Sequence, residues 1–170
     1  MYTITMSYAY HIASKKDLDN ILRKGIDPTD SGAKTDKLIA RTDEYLDAHK
    51  ATSFNISRQA SVYAYVVRDG FVYNITDGKK IAESAFICEH AGELLRLEIA
   101  TERCYVSDTD AFDAVKDALQ TGNDTATIEQ LAGHYWDRIV PLDTFDFHSV
   151  RRPELMIPHA IKPRAVTKVT

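Results

Sequence analysis

The sequence predicts an α+β domain, and three patterns carry that prediction. Segments of strand composition stand near both ends, at residues 2–11, 154–157 and 165–169. Two stretches in the second half, 108–119 and 127–138, place their apolar residues at helical spacing. Between them and the first strand, residues 94–99 alternate: Leu95, Leu97 and Ile99 share one face, Arg96 and Glu98 the other. Strands gathered at the ends with helices between them favour α+β over a regular β-α repeat.

Taken in order, residues 2–11 are rich in Thr, Ile and Tyr and suit a strand. Ser14 is placed as a helix N-cap, with Asp17 in capping-box position. Leu18, Ile21 and Leu22 then fall on one helical face, Gly25 fits the stop, and Pro28 follows, so a helix is expected over 15–24. Residues 29–37 read as a polar loop, 36–49 as a helix with Leu38, Tyr45 and Leu46 inward, and 53–56 as a short strand.

The next stretch supports two readings. Residues 62–67 have strand composition, and Arg68-Asp69-Gly70 has the form of a hairpin turn. Yet Ser57 is placed to cap a helix, and Ala60, Tyr63 and Ala64 follow helical spacing. The reading preferred is a short helix over 58–66, then a strand over 71–75. Residues 104–106 extend as a short strand; Phe112, Val115 and Leu119 mark one later helix, and Ile128, Leu131, Tyr135 and Trp136 the other.

Length and composition narrow the function. A chain of 170 residues, 44% hydrophobic and 27% charged, makes one domain over 1–170 with a real core. A net charge of -4 argues against a general nucleic-acid coat, though a local basic patch is compatible with an acidic whole. Two cysteines are too few for a disulfide scaffold and point to a reducing compartment. No apolar run approaches the roughly 20 residues of a membrane span, and residues 1–7 lack the plan of a signal peptide. The expected location is therefore cytoplasmic, with no membrane partner and no metal pattern among Cys88, His90 and Cys104.

Three residues have chemistry worth weighing together. His11, at the end of the first strand, can donate and accept through its ring nitrogens and so grip a ribose hydroxyl, or simply bond to backbone inside a core. Tyr63, with Phe54 nine residues before it, can clamp a flat cationic ring, or fill a core. Glu154 heads an apolar run, where a carboxylate can stabilise an oxocarbenium-like ribose, or sit solvated at a sheet edge. Arg58, read as lying in the first turn of a helix, would aim its fork at an anion there, or carry a water shell.

Taken together, these segments resemble the His-Tyr-Glu type of ADP-ribosyltransferase. Tyr10-His11-Ile12-Ala13-Ser14 is similar to the Tyr-His-Gly-Thr segment of diphtheria-toxin-type and poly-ADP-ribosyltransferases. Phe54 with Ala60-Ser61-Val62-Tyr63 resembles their aromatic pair, and Glu154 stands where their glutamate closes the motif. The ends also resemble small microbial domains of that superfamily: His11 leads to Gly25-Ile26-Asp27-Pro28, and Pro153-Glu154-Leu155-Met156-Ile157-Pro158 leads to Ile161-Lys162-Pro163. Two positions depart from the pattern. Ile12-Ala13 replaces Gly-Thr, and Arg152 stands two before Glu154, where arginine-directed enzymes carry an acid or amide.

The resemblance implies a split, mostly antiparallel β-sandwich of the ADP-ribosyltransferase type with peripheral helices. It implies NAD as substrate, with catalytic roles for Glu154, His11 and Tyr63 and cofactor contacts from His11, Ile12, Ser14, Phe54, Ser57, Arg58 and Tyr63. The activity implied is transfer of one ADP-ribose to a macromolecular acceptor, whether DNA, RNA or protein, in a toxin or phage-conflict setting with an antitoxin or inhibitor as partner. The acceptor would enter over residues 29–37 or 140–152. Two alternatives stay open: an NAD-dependent RNA 2′-phosphotransferase-like enzyme, and an inactive binding module on the same fold.

Overall fold

A computed structural model describes residues 5–29, 36–51 and 55–170. Strand β1 (Met6–Ile12) runs into helix α1 (Lys15–Lys24), and α2 spans Lys37–Ala48. Four short strands follow, β2 (Val62–Ala64), β3 (Val67–Arg68), β4 (Phe71–Tyr73) and β5 (Lys80–Ala82), and then α3 (Glu83–Glu89). The second half holds β6 (Leu94–Ala100), β7 (Tyr105–Asp108), α4 (Thr109–Thr121), α5 (Thr125–Asp137), β8 (Val140–Pro141), β9 (Pro153–Ile157) and β10 (Val166–Lys168). The chain is thus α+β, and among the described residues the strands form three antiparallel sheets ordered β1-β6-β10, β2-β9-β7-β8 and β3-β4-β5.

Period-2 burial explains how the sheets stack. Ala9, Leu95, Leu97 and Ile99 of the first sheet share one core with Val62, Ala64, Val106, Leu155 and Ile157 of the second, closed at one side by Leu18 of α1. The opposite face of the second sheet, through Met156, Tyr63 and Tyr105, packs on α2, α4 and α5 around Leu46, Phe112, Val115, Tyr135 and Trp136. The outer face of the first sheet carries Tyr8, Tyr10 and Leu94 against Phe86 of α3 and Val72 of the third sheet. One isolated bridge, Tyr10 to Tyr65, ties β1 to the segment just after β2.

The periodic segments form where the pattern placed them. Asp36, Asp108 and Asp124 cap α2, α4 and α5 by accepting backbone N–H groups, and Gly122 ends α4 in the left-handed conformation. Ser14 holds the N-cap position of α1, but its hydroxyl donates to the Asp17 carboxylate rather than accepting a backbone N–H.

The helix expected over 58–66 does not form. Ser57 does start a turn, since its Oγ accepts from the N–H of Ala60 at 3.3 Å. The turn then yields to β2, where β-branched and aromatic residues pair with β9: Val62 with Ile157, Tyr63 with Met156, Ala64 with Leu155. Pairing with a central strand outweighs a single capping hydroxyl. The hairpin reading of the same stretch is the one realised: Asp69 (φ 52°) and Gly70 (φ 78°) make a two-residue turn joining β3 to β4. The strand expected over 53–56 falls partly outside the described residues, and Asn55 and Ile56 belong to no strand.

Candidate active site

Tyr63 and Glu154 face the same helical layer because each shares a side of its strand with Met156. Tyr63 lies opposite Met156 in the β2-β9 register, and Glu154 lies two residues before it on β9, opposite Ser107 of β7. His11 reaches this region from β1. Its Nδ1 is 2.8 Å from the carbonyl oxygen of Tyr63. A carbonyl only accepts, so Nδ1 carries the proton and a neutral ring leaves Nε2 as the acceptor. Burial favours that neutral form by lowering the imidazole pKa from its ordinary value, against the opposing pull of the Tyr63 carbonyl.

Arg58 links the other two. It is 3% exposed, and its Nε donates to Asp43 Oδ1 at 2.6 Å. Nη1 donates to the Tyr135 hydroxyl, and Nη2 stands 3.7 Å from Glu154 Oε1. The guanidinium carbon lies 4.5 Å from the centroid of Tyr63 and 4.2 Å from that of Phe112. The Tyr63 hydroxyl in turn donates to the Arg58 carbonyl at 2.6 Å. The Arg58 fork therefore lies inside the fold, in a turn fastened to α2 by Asp47, which accepts from the N–H groups of Arg58 and Gln59 and from the Ser57 hydroxyl.

The Glu154 side chain keeps 17% exposure. Burial raises its carboxyl pKa above the usual range, and the Arg58 guanidinium works against that rise. The Ser107 hydroxyl across the register from Glu154 is fully buried, close to the Tyr135 hydroxyl.

The structure thus gathers Tyr63 and Glu154 on the Arg58 guanidinium, and ties His11 to them through the Tyr63 backbone carbonyl, from the face of the sheet that meets β1. Ser57 joins them through the same turn, while Ile12 is half-buried among the Tyr10-Phe86 cluster and Ser14 is exposed at the start of α1. Phe54 lies outside the described residues. Arg151 and Arg152, just before β9, bind acids: Arg151 pairs with Asp110, and Arg152 with Asp110 and Asp113. Sequence reasoning missed Asp43, Tyr135 and Ser107. Asp43 left a trace, since it sits between Ile39 and Leu46 at helical spacing, where a core residue is expected. Ser107 left none.

The two terminal motifs also meet. Ile26 and Ile161 exchange backbone hydrogen bonds of 2.9 and 2.8 Å, joining the Gly25-Ile26-Asp27-Pro28 step to the Ile161-Lys162-Pro163 step.

No family model, no curated protein and no solved structure matches the chain.

A cavity of about 590 Å³ is lined by Tyr73, Lys80, Asp108, Arg138, Phe147 and Arg151 among others. A second of about 430 Å³ lies near Tyr8, Arg68 and Phe147. Neither is lined by His11, Tyr63 or Glu154.

Proposed function

We propose that the chain is a mono-ADP-ribosyltransferase of the His-Tyr-Glu type, built on the split sandwich of that superfamily. The observation that carries the reading is the meeting of Tyr63 and Glu154 on Arg58, with His11 bonded to the main chain of Tyr63. These residues come from three strands separated by long stretches of sequence. The pairing of Ile26 with Ile161 adds support, because it joins the two end motifs of the same resemblance.

In this reading the His11 Nε2 accepts a ribose hydroxyl, and Tyr63 offers its ring to nicotinamide. The bond between the ribose C1′ and the nicotinamide nitrogen breaks heterolytically, and nicotinamide leaves with the electron pair. Positive charge then spreads over C1′ and the ring oxygen, where the Glu154 carboxylate stabilises it; one preorganised contact of this kind contributes on the order of 3 kcal/mol. The acceptor adds its lone pair to C1′ and loses a proton. Residues 147–151, which line the larger cavity just before β9, give the acceptor a place to approach.

A second reading, a binding module without turnover, draws on one observation: the signature residues line neither cavity. NAD labelled in its adenylate phosphate, incubated with the protein and fractionated cell extract, separates the two. Label carried on a macromolecule supports transfer. Label that stays in NAD in every fraction, with NAD bound, supports the module.

A further inference from the structure

We infer that Arg58 is a positioning residue for Glu154: held by Asp43 and Tyr135, it orients the carboxylate and sustains its negative charge without cancelling it. The inference rests on the proposed function and assigns a task to a residue whose fork lies inside the protein.

Arg58 and Asp43 are 3% and 0% exposed and meet at 2.6 Å, so they neutralise each other within the core. Glu154 meets the same guanidinium at 3.7 Å, beyond a direct hydrogen bond. Among the described residues, Asp43 and Glu154 place two carboxylates beside this one guanidinium. Glu154 is largely out of bulk water, where fields are strong. A cation developing at the ribose would complete the set. An arginine already matched by Asp43 fixes the geometry and leaves the field of Glu154 available.

Geometry supports the division of labour. The guanidinium is gripped at Nε by α2 and at Nη1 by α5, and is packed between the Tyr63 and Phe112 rings. Only Nη2 points at Glu154 among the described ion pairs. The other titratable groups whose charge bears on Glu154 are Asp113 from α4, Tyr63 from β2, Tyr65 just after it and Tyr135 from α5. Each tyrosine stays neutral, because burial pushes its hydroxyl pKa upward.

The test is the titration of Glu154, read by NMR on protein labelled at the glutamate carboxyl carbon and assigned by loss of the signal in Glu154→Gln. Removing the cation in Arg58→Met should move the Glu154 midpoint up. Removing the neighbouring anion in Asp43→Asn should move it down, because the Asp43 charge opposes ionisation of Glu154. Arg58→Lys should lie between the wild type and Arg58→Met. In NAD cleavage, the acidic limb of the pH profile should move in the same directions, with kcat changing more than KM.

A purely structural Arg58 would lower stability in all three variants and leave the midpoint where it is; that result overturns the inference. Asp43→Asn alone decides the matter if Arg58→Met fails to fold. The titration needs no turnover. Opposed shifts in a protein that never cleaves NAD would therefore refute the proposed function and leave the coupling intact.

Discussion

Gly25 lies so close to Ile161 that a side chain could not stand between them. A Cβ on Gly25 would fall 2.0 Å from the Ile161 carbonyl oxygen, and the glycine φ of 80° is in the region that L side chains avoid. The contact closes α1 onto the segment that follows β9, and so fixes His11 and Glu154, at the two ends of the chain, within one frame.

Gly25→Ala should therefore cost about 3 kcal/mol, combining backbone strain with a clash against main chain. Gly122→Ala is the control. Its φ of 72° is similarly strained but nothing lies within 4 Å of the added carbon, so about 1 kcal/mol is expected. Urea denaturation of the two variants checks the difference, and equal losses would remove the close approach from the account.

His11 predicts a loss of stability in acid. Burial lowers its pKa in the folded state below the ordinary 6.5. The unfolded chain therefore binds more protons once the pH drops below about 6.5, and stability falls from there toward the folded pKa. His159, also lowered by burial, adds to the same slope. His11→Asn should flatten the dependence between pH 7 and pH 5, measured by denaturation midpoints across that range. An unchanged slope would mean that the ring is not buried in its neutral form.

Tyr63 separates ring from hydroxyl. Tyr63→Phe loses the bond to the Arg58 carbonyl and should cost about 1 kcal/mol of stability while keeping NAD affinity. Tyr63→Ala also removes the ring, and NAD affinity should fall at least tenfold by calorimetry. Equal affinity in the two variants would show that the ring does not meet nicotinamide.

Much of the frame is legible in the sequence, for identifiable reasons. The helices α1, α2, α4 and α5 have one buried stripe each, which their apolar spacing reveals. Residues 94–99 alternate because one face of β6 meets the core and Arg96 and Glu98 do not. The segment 58–66 misleads because both readings fit locally. Ser57 caps a turn, as a helix start would, and only the long-range partner β9 turns Val62 and Tyr63 into strand. In the site, His11, Tyr63 and Glu154 were visible through motif resemblance. Asp43 and Tyr135 were not, because their part depends on a guanidinium contributed by a distant turn.

Glu154 should be a residue the fold would be better off without. Its pKa is raised in the folded state, so the protonated form is favoured and stability declines as pH rises through that folded value. Glu154→Gln removes the buried charge. At pH 8 it should be as stable as the wild type or more stable, by about 1 kcal/mol, a margin that narrows in acid. A marked loss at pH 8 would identify the carboxylate as structural.

That stability makes Glu154→Gln the right partner for the decisive experiment, release of free nicotinamide from NAD followed by chromatography. The account predicts release by the native protein and a loss of two to three orders of magnitude, on the order of 3 kcal/mol, in a Glu154→Gln variant that still binds NAD. Equal release by both, or a native protein that neither cleaves nor binds NAD, would contradict it.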